Sequence, residues 1–105
     1  MEVTDSEFEE EIIRSEKPAL VMFAGSWCPV CKRNEPLLEE IKEELGDQLK
    51  VKKLNIDKNR KTPSEFNVAG TPTFHLFKEG ESKGSKVGSV TKEQLREFVK
   101  EHANI

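Results

Sequence analysis

Cys28 and Cys31 are the only cysteines in this chain of 105 residues, and they stand in the run Trp27-Cys28-Pro29-Val30-Cys31-Lys32. That spacing suits disulfide exchange, which needs one exposed, acidified thiol to attack and a second within reach to expel the partner. It also makes half of a zinc site. No further cysteine exists to supply the other half, so the spacing points to redox chemistry. The two histidines do not change this. His75 falls in a strand pattern and His102 near a helix C-terminus, where imidazolium suits the dipole, and neither has ligand spacing with the cysteines. A zinc or iron–sulfur centre is the lesser alternative.

The pair lies where an apolar run meets a helical pattern. Ala19-Leu20-Val21-Met22-Phe23-Ala24 is continuously apolar, as a central strand covered on both faces must be. Gly25 and Ser26 end it. From Pro29 the pattern turns helical, with Leu37, Leu38, Ile41 and Leu45 inward, Pro36 as an internal kink, and Gly46 as the stop. A cysteine at the start of that helix sits at the positive end of its dipole, beside unpaired N–H groups, which favours thiolate. Cys28 should therefore titrate below the ~8.5 of a free thiol, with Cys31 shielded one turn further in. The bland alternative for Cys28 is a buried, inert cysteine.

Around this unit, Thr4-Asp5-Ser6-Glu7 has capping-box form and opens a helix with Phe8, Ile12 and Ile13 inward, stopped by Lys17-Pro18. Val51 to Asp57 reads as a second buried strand. Thr62-Pro63-Ser64-Glu65 predicts a short helix near 63–67. Thr73–Lys78 and Ser82–Gly88 read as a hairpin around Glu79-Gly80, and Thr91-Lys92-Glu93-Gln94 caps a last helix with Leu95, Phe98, Val99 and His102 at helical spacing. The order is α-β-α-β-α-β-β-α, with room for a short first strand at residues 2–4. Strand–helix–strand units imply parallel central strands, and the terminal hairpin adds antiparallel ones. The cysteines then lie beyond the carboxyl end of a central strand, where such sheets place their sites.

Length fits a single domain over residues 1–105. A net charge of −3 with scattered basic residues argues against a dedicated nucleic-acid binder. The N-terminus lacks the basic and apolar regions of a signal peptide, and the longest apolar run is too short to span a bilayer. A cytoplasmic protein with no membrane partner is expected, a setting in which a lone cysteine pair is more often catalytic than structural.

Four ordered segments resemble the thioredoxin family: Trp27-Cys28-x-x-Cys31-Lys32, Lys53-Leu54-Asn55-Ile56-Asp57, Gly70-Thr71-Pro72-Thr73 and Lys86-Val87-Gly88. Pro36 also matches the family's kinking proline. The resemblance implies an α/β thioredoxin fold, a central mixed β-sheet of four or five strands flanked by helices on both faces. It implies a thiol–disulfide oxidoreductase acting on disulfide-containing proteins as a monomer. A flavin-dependent thioredoxin reductase-type donor would re-reduce it, and the redox-active Cys28–Cys31 pair would be its only cofactor. Cys28 would be the attacking thiolate and Cys31 the resolving thiol. Pro72 would be a cis proline facing the pair, and Trp27, Ile56, Thr71, Pro72, Val87 and Gly88 would surround the site where substrate docks. Lys53 would lie below it.

Plainer readings stand beside these. Pro72 could merely open a strand, Trp27 could be a core residue rather than a rim group shielding the sulfurs, and Lys53 could be solvated. Gly88 could serve a bulge or give clearance to a docking chain.

The chain departs from the family in places. Met22 stands where a buried Asp usually aids proton loss from the resolving thiol, so Cys31 is left with water, Lys53 or the leaving thiolate. Pro29-Val30 replaces the usual Gly-Pro. Proline first is a glutaredoxin-like trait, and the Val30 N–H adds a donor near the thiolate, which predicts a potential above the ~−270 mV of thioredoxin, towards ~−200 to −230 mV. Ala24 replaces a usual tryptophan and Thr71 a common aliphatic residue, giving a smaller, more polar docking face. The competing readings are a glutaredoxin-like or more oxidising exchanger and a non-catalytic binding module of the same fold.

Overall fold

Four strands form one mixed sheet in the order β2-β1-β3-β4 in a computed structural model that describes residues 1–105. The strands are β1 (Ala19–Ala24), β2 (Lys50–Asn55), β3 (Thr73–Lys78) and β4 (Glu81–Val87). β1 runs parallel to β2 and antiparallel to β3, and β3 pairs antiparallel with β4. The helices are α1 (Asp5–Phe8), α2 (Pro29–Leu45), α3 (Lys61–Glu65) and α4 (Lys92–Ala103). The expected first strand is reduced to one parallel bridge, Glu2 to Lys53, held by Val3 N–H donating to the Lys53 carbonyl at 2.9 Å.

The apolar run of β1 is continuous because both faces are covered. Leu20 and Met22 pack with Leu38, Ile41 and Leu45 of α2 and with Leu95 and Val99 of α4. Ala19, Val21 and Phe23 face a second core with Phe8, Ile12, Leu54 and Phe77. Fully burying each of the larger side chains contributes about 1.5–3 kcal/mol. These two cores clamp β1, so the loop at its carboxyl end, where the cysteines begin, leaves a rigid platform.

The chain's capping signals act as expected in two places. Thr4 N–H donates to Glu7 Oε1 at 3.0 Å, and Gln94 N–H to Thr91 Oγ1 at 3.1 Å. Elsewhere other bonds, local and long-range, move the boundaries. The first helix widens after Phe8 into a π-type turn over Glu9–Ile13, closed by Arg14 N–H to the Glu9 carbonyl at 2.9 Å. The short helix starts at Lys61 rather than 63, because the Asp5 carboxylate accepts from the Lys61 and Thr62 amides at 3.0 and 2.9 Å. These bonds outweigh burial and hold the Asp5 carboxyl below its usual range. β2 ends at Asn55, short of the expected Asp57, since Asn55 Oδ1 takes the Asp57 and Lys58 amides at 2.8 and 3.2 Å and turns the chain.

The hairpin turn is where the sequence puts it, with positive φ at both Glu79 (55°) and Gly80 (80°). β4 shifts register against β3 between Leu76 and Phe77. Gly84 sits in this stretch because His102 of α4 lies over it, and a Cβ there would come within 2.5 Å of His102 Nε2.

Candidate active site

Cys28 is the N-cap of α2. Its backbone is extended, and its sulfur accepts the Cys31 N–H at 3.1 Å. Pro29 takes the first helical position, where a missing N–H leaves no bond unmade. The cysteines are bridged, with Cα atoms 5.2 Å apart. Both cysteines are buried in the bridged form, 8% exposed for Cys28 against 3% for Cys31, so Cys28 is not the exposed thiol expected and the asymmetry between the two is small. The amide meeting the sulfur is that of Cys31, not that of Val30 as expected. An N-cap side chain can take the second or the third amide of the helix, and here the sulfur takes the third.

A second donor comes from the loop that leads into β3, the strand beside β1. Thr71 Oγ1–H donates to Cys28 Sγ at 3.5 Å. The Thr71–Pro72 peptide bond is cis, as the resemblance implied, and Pro72 is buried. The Pro72 carbonyl accepts the Gly88 N–H at 2.8 Å, and Thr73 pairs with Val87 in register. These bonds gather Thr71, Pro72, Val87 and Gly88 on the Cys28 side of the fold. Gly88 has φ of 96° and nothing within 4 Å of a notional Cβ, so its backbone conformation is what calls for glycine.

Two large apolar side chains stand out in solvent on this rim, Trp27 at 94% and Val87 at 69% exposure. Trp27 is thus no core residue. An indole that solvated covers little of either sulfur, against the expected shielding. Ile56 follows β2, with its N–H on the Ala24 carbonyl at 2.9 Å, and packs half-buried against the edge of the second core. The loop carrying Trp27 is tied down from β2's end. Asp57 Oδ2 accepts the Ser26 N–H at 2.7 Å, the main reason its carboxyl lies below the usual range, and Asn55 Nδ2 donates to Ser26 Oγ at 3.1 Å.

Beneath the cysteines, Lys53 pairs in register with Met22 and is not simply solvated. Its ammonium donates to the Glu35 carboxylate of α2. Asn34, one turn beyond Cys31, is buried at 5% exposure. Its Nδ2 donates to the Val90 carbonyl and its Oδ1 accepts the Val90 N–H, both at 3.2 Å, which fastens the Gly88–Val90 loop to the active-site helix. Glu35 and Asn34 are absent from the sequence-derived site. Asn34 left a signal, because it falls in the stripe Cys31, Asn34, Leu38, Ile41, Leu45 that α2 buries. Neither histidine approaches the cysteines. His75 is buried among Phe23, Phe66 and Phe77 with Nδ1 2.8 Å from Ser82 Oγ, and His102 is bonded to the Phe98 carbonyl. No three His, Cys, Asp or Glu side chains converge as metal ligands would.

The chain matches the Thioredoxin family model over residues 1–101. It is 45% identical over 97 residues to the thioredoxin of Rickettsia prowazekii, covering 92% of each chain. The thioredoxin of Acidithiobacillus ferridurans is also 45% identical over 97 residues, covering 92% of this chain and 90% of the relative. That of Rhodospirillum rubrum is 41% identical over 98 residues, covering 93% and 94%. Similarity of that breadth makes this chain a member of the thioredoxin family of protein-disulfide oxidoreductases.

Proposed function

We propose that the protein, a single domain over residues 1–105, reduces disulfides in other proteins with Cys28 as nucleophile and Cys31 as resolving thiol. The thiolate of Cys28 attacks one sulfur of the substrate disulfide, whose other sulfur leaves as thiolate and takes a proton. Cys31, having lost its own proton, attacks Cys28 and releases the second substrate thiolate. The substrate gains two electrons, and the Cys28–Cys31 bridge holds the oxidising equivalent. The observation that carries this reading is Cys28 at the N-cap with its sulfur on the Cys31 amide. The helix dipole and the same donor favour a thiolate there when the bridge is open.

Trp27, Ile56, Val87 and Gly88 form the apolar rim that receives the substrate, and the backbone at Thr71-Pro72 pairs with an extended substrate segment beside Cys28. Pro29 and Val30 hold the first turn. A flavin-dependent reductase returns the electrons, and the protein works as a monomer in the cytoplasm. No helix is long and apolar enough to cross a membrane.

Reductase-coupled reduction of insulin, run beside turnover of glutathione disulfide, tests the proposal. Rapid insulin reduction abolished by Cys28→Ser is the expected result. Faster turnover of glutathione would place the protein with glutaredoxin-like exchangers, and partner binding that survives alkylation of Cys28 would favour a binding module.

A further inference from the structure

Cys31 is buried, yet it must lose a proton before it can resolve a mixed disulfide. It lines a small cavity of about 170 Å³ with Ser26, Lys32, Glu35, Lys53 and Glu2 among its walls. Glu35 is four residues along α2 from Cys31, so the two side chains share a helix face with Cβ atoms about 5–6 Å apart. Lys53 reaches in from β2 and donates to Glu35 Oε1, which leaves Oε2 without a protein donor. The cavity is wide enough for water to bridge a thiol and a carboxylate at that separation.

We propose that Glu35 is the relay carboxylate for Cys31, held in place by Lys53, a role that rests on the resolving function assigned to Cys31 above. In the mixed disulfide, the Cys31 thiol passes its proton through water to the Glu35 carboxylate. The Cys31 sulfur forms a bond to Cys28 Sγ while the bond from Cys28 to the substrate sulfur breaks. The departing substrate thiolate is then protonated from solvent, and Glu35 releases its proton through the cavity mouth. The carboxylate thus comes from the helix above the resolving thiol, whereas the strand position beneath it is occupied by Met22 in the apolar core. The charged groups facing the cavity are Lys32 and Glu35 from α2, Lys53 from β2 and Glu2 from the N-terminal segment, with Glu39 one turn along beside Glu35. Among them Glu35 alone combines a shared helix face with Cys31 and a fixed cation partner.

The sign of one substitution separates this role from a merely electrostatic one. A negative charge beside Cys31 disfavours its thiolate. Neutralising Glu35 would therefore speed resolution if the carboxylate acted only as a charge, and slow it if the carboxylate takes the proton.

The test is stopped-flow reaction of the reduced protein with an excess of an aromatic disulfide that liberates a coloured thiolate. The first release depends on reagent concentration and reports Cys28. The second does not, and reports Cys31. In Glu35→Gln the second phase is expected to slow by about tenfold or more near neutral pH. It should also climb about tenfold per pH unit, the slope of transfer to hydroxide, where the unsubstituted protein is nearly flat. Glu35→Asp should recover most of the rate and the flat profile, and Lys53→Gln should give an intermediate loss. A second phase in Glu35→Gln that is unchanged or faster would overturn the proposal, as would equal slowing in Glu35→Gln and Glu35→Asp with no change of slope. Loss of the first phase in the unsubstituted protein would overturn the assignment of Cys28, and the relay with it.

Discussion

Replacing Thr71 by Val removes the only side-chain donor to the Cys28 sulfur while preserving its shape. At 3.5 Å from oxygen to sulfur the bond is long, and hydrogen bonds to charged groups are worth about 1.5–3 kcal/mol when well formed. We therefore take about 1 kcal/mol of thiolate stabilisation as lost, the shorter bond from the Cys31 amide being kept. At ~1.36 kcal/mol per pKa unit, Cys28 should titrate about 0.7 unit higher in Thr71→Val. Losing the same energy from the reduced form lowers the potential by about 20 mV, since ~30 mV corresponds to ~1.4 kcal/mol for two electrons. The sign follows because the hydroxyl favours the reduced, ionised sulfur over the bridged one. Thiolate ultraviolet absorbance against pH and equilibration with a glutathione couple measure both quantities. Thr71→Ser, which keeps a hydroxyl, should move neither. A Cys28 pKa that stays put or falls in Thr71→Val would refute this account of the donor. The Val30 amide makes no bond to the sulfur, so the donors that favour the reduced form are the Cys31 amide and the Thr71 hydroxyl.

Two further outcomes follow from the surrounding fold. Asn34→Ala leaves both polar groups of the buried Val90 backbone unpaired, so stability should fall by about 2–4 kcal/mol, read as a lower urea midpoint of the oxidised protein. An unchanged midpoint would mean the loop is held by other bonds. Burial pushes the His75 imidazole below its ordinary 6.5. The unfolded chain therefore binds a proton there that the folded one does not, and stability is full above about pH 6.5 and falls as pH drops from there towards the depressed folded pKa. His75→Phe, which keeps a ring among Phe23, Phe66 and Phe77, should flatten that loss in melts between about pH 7 and 5, and an identical slope would contradict it.

The parts of this molecule legible in the sequence are those set by local pattern. The continuous run from Ala19 to Ala24, the capping residues Thr4 and Thr91, and the turn at Glu79-Gly80 all act through neighbours in the chain. The cysteine pair belongs with them, since its helix-start position needs only the change of period at Pro29. What stayed hidden depends on contacts between distant segments. Asp5 starts α3 from 56 residues away, so no reading of Thr62-Pro63 could find the boundary. His102 over Gly84 joins α4 to β4, and neither residue type announces the other. Glu35 looks like any surface glutamate of a charged helix until Lys53 is brought beneath it by the parallel pairing of β1 with β2. Trp27 shows the opposite limit. Its neighbours place it beside the sulfurs, but only the fold reveals how far it stands into solvent.

The central claim, that Cys28 attacks and Cys31 resolves, is tested most directly by trapping with single-cysteine variants. Cys31→Ser, mixed in its reduced form with a disulfide-bonded protein, should accumulate a covalent complex through Cys28 that dithiothreitol releases. Cys28→Ser should give none, because its remaining thiol is the more deeply buried of the two. Complexes formed equally by both variants, or by Cys28→Ser alone, would contradict the account.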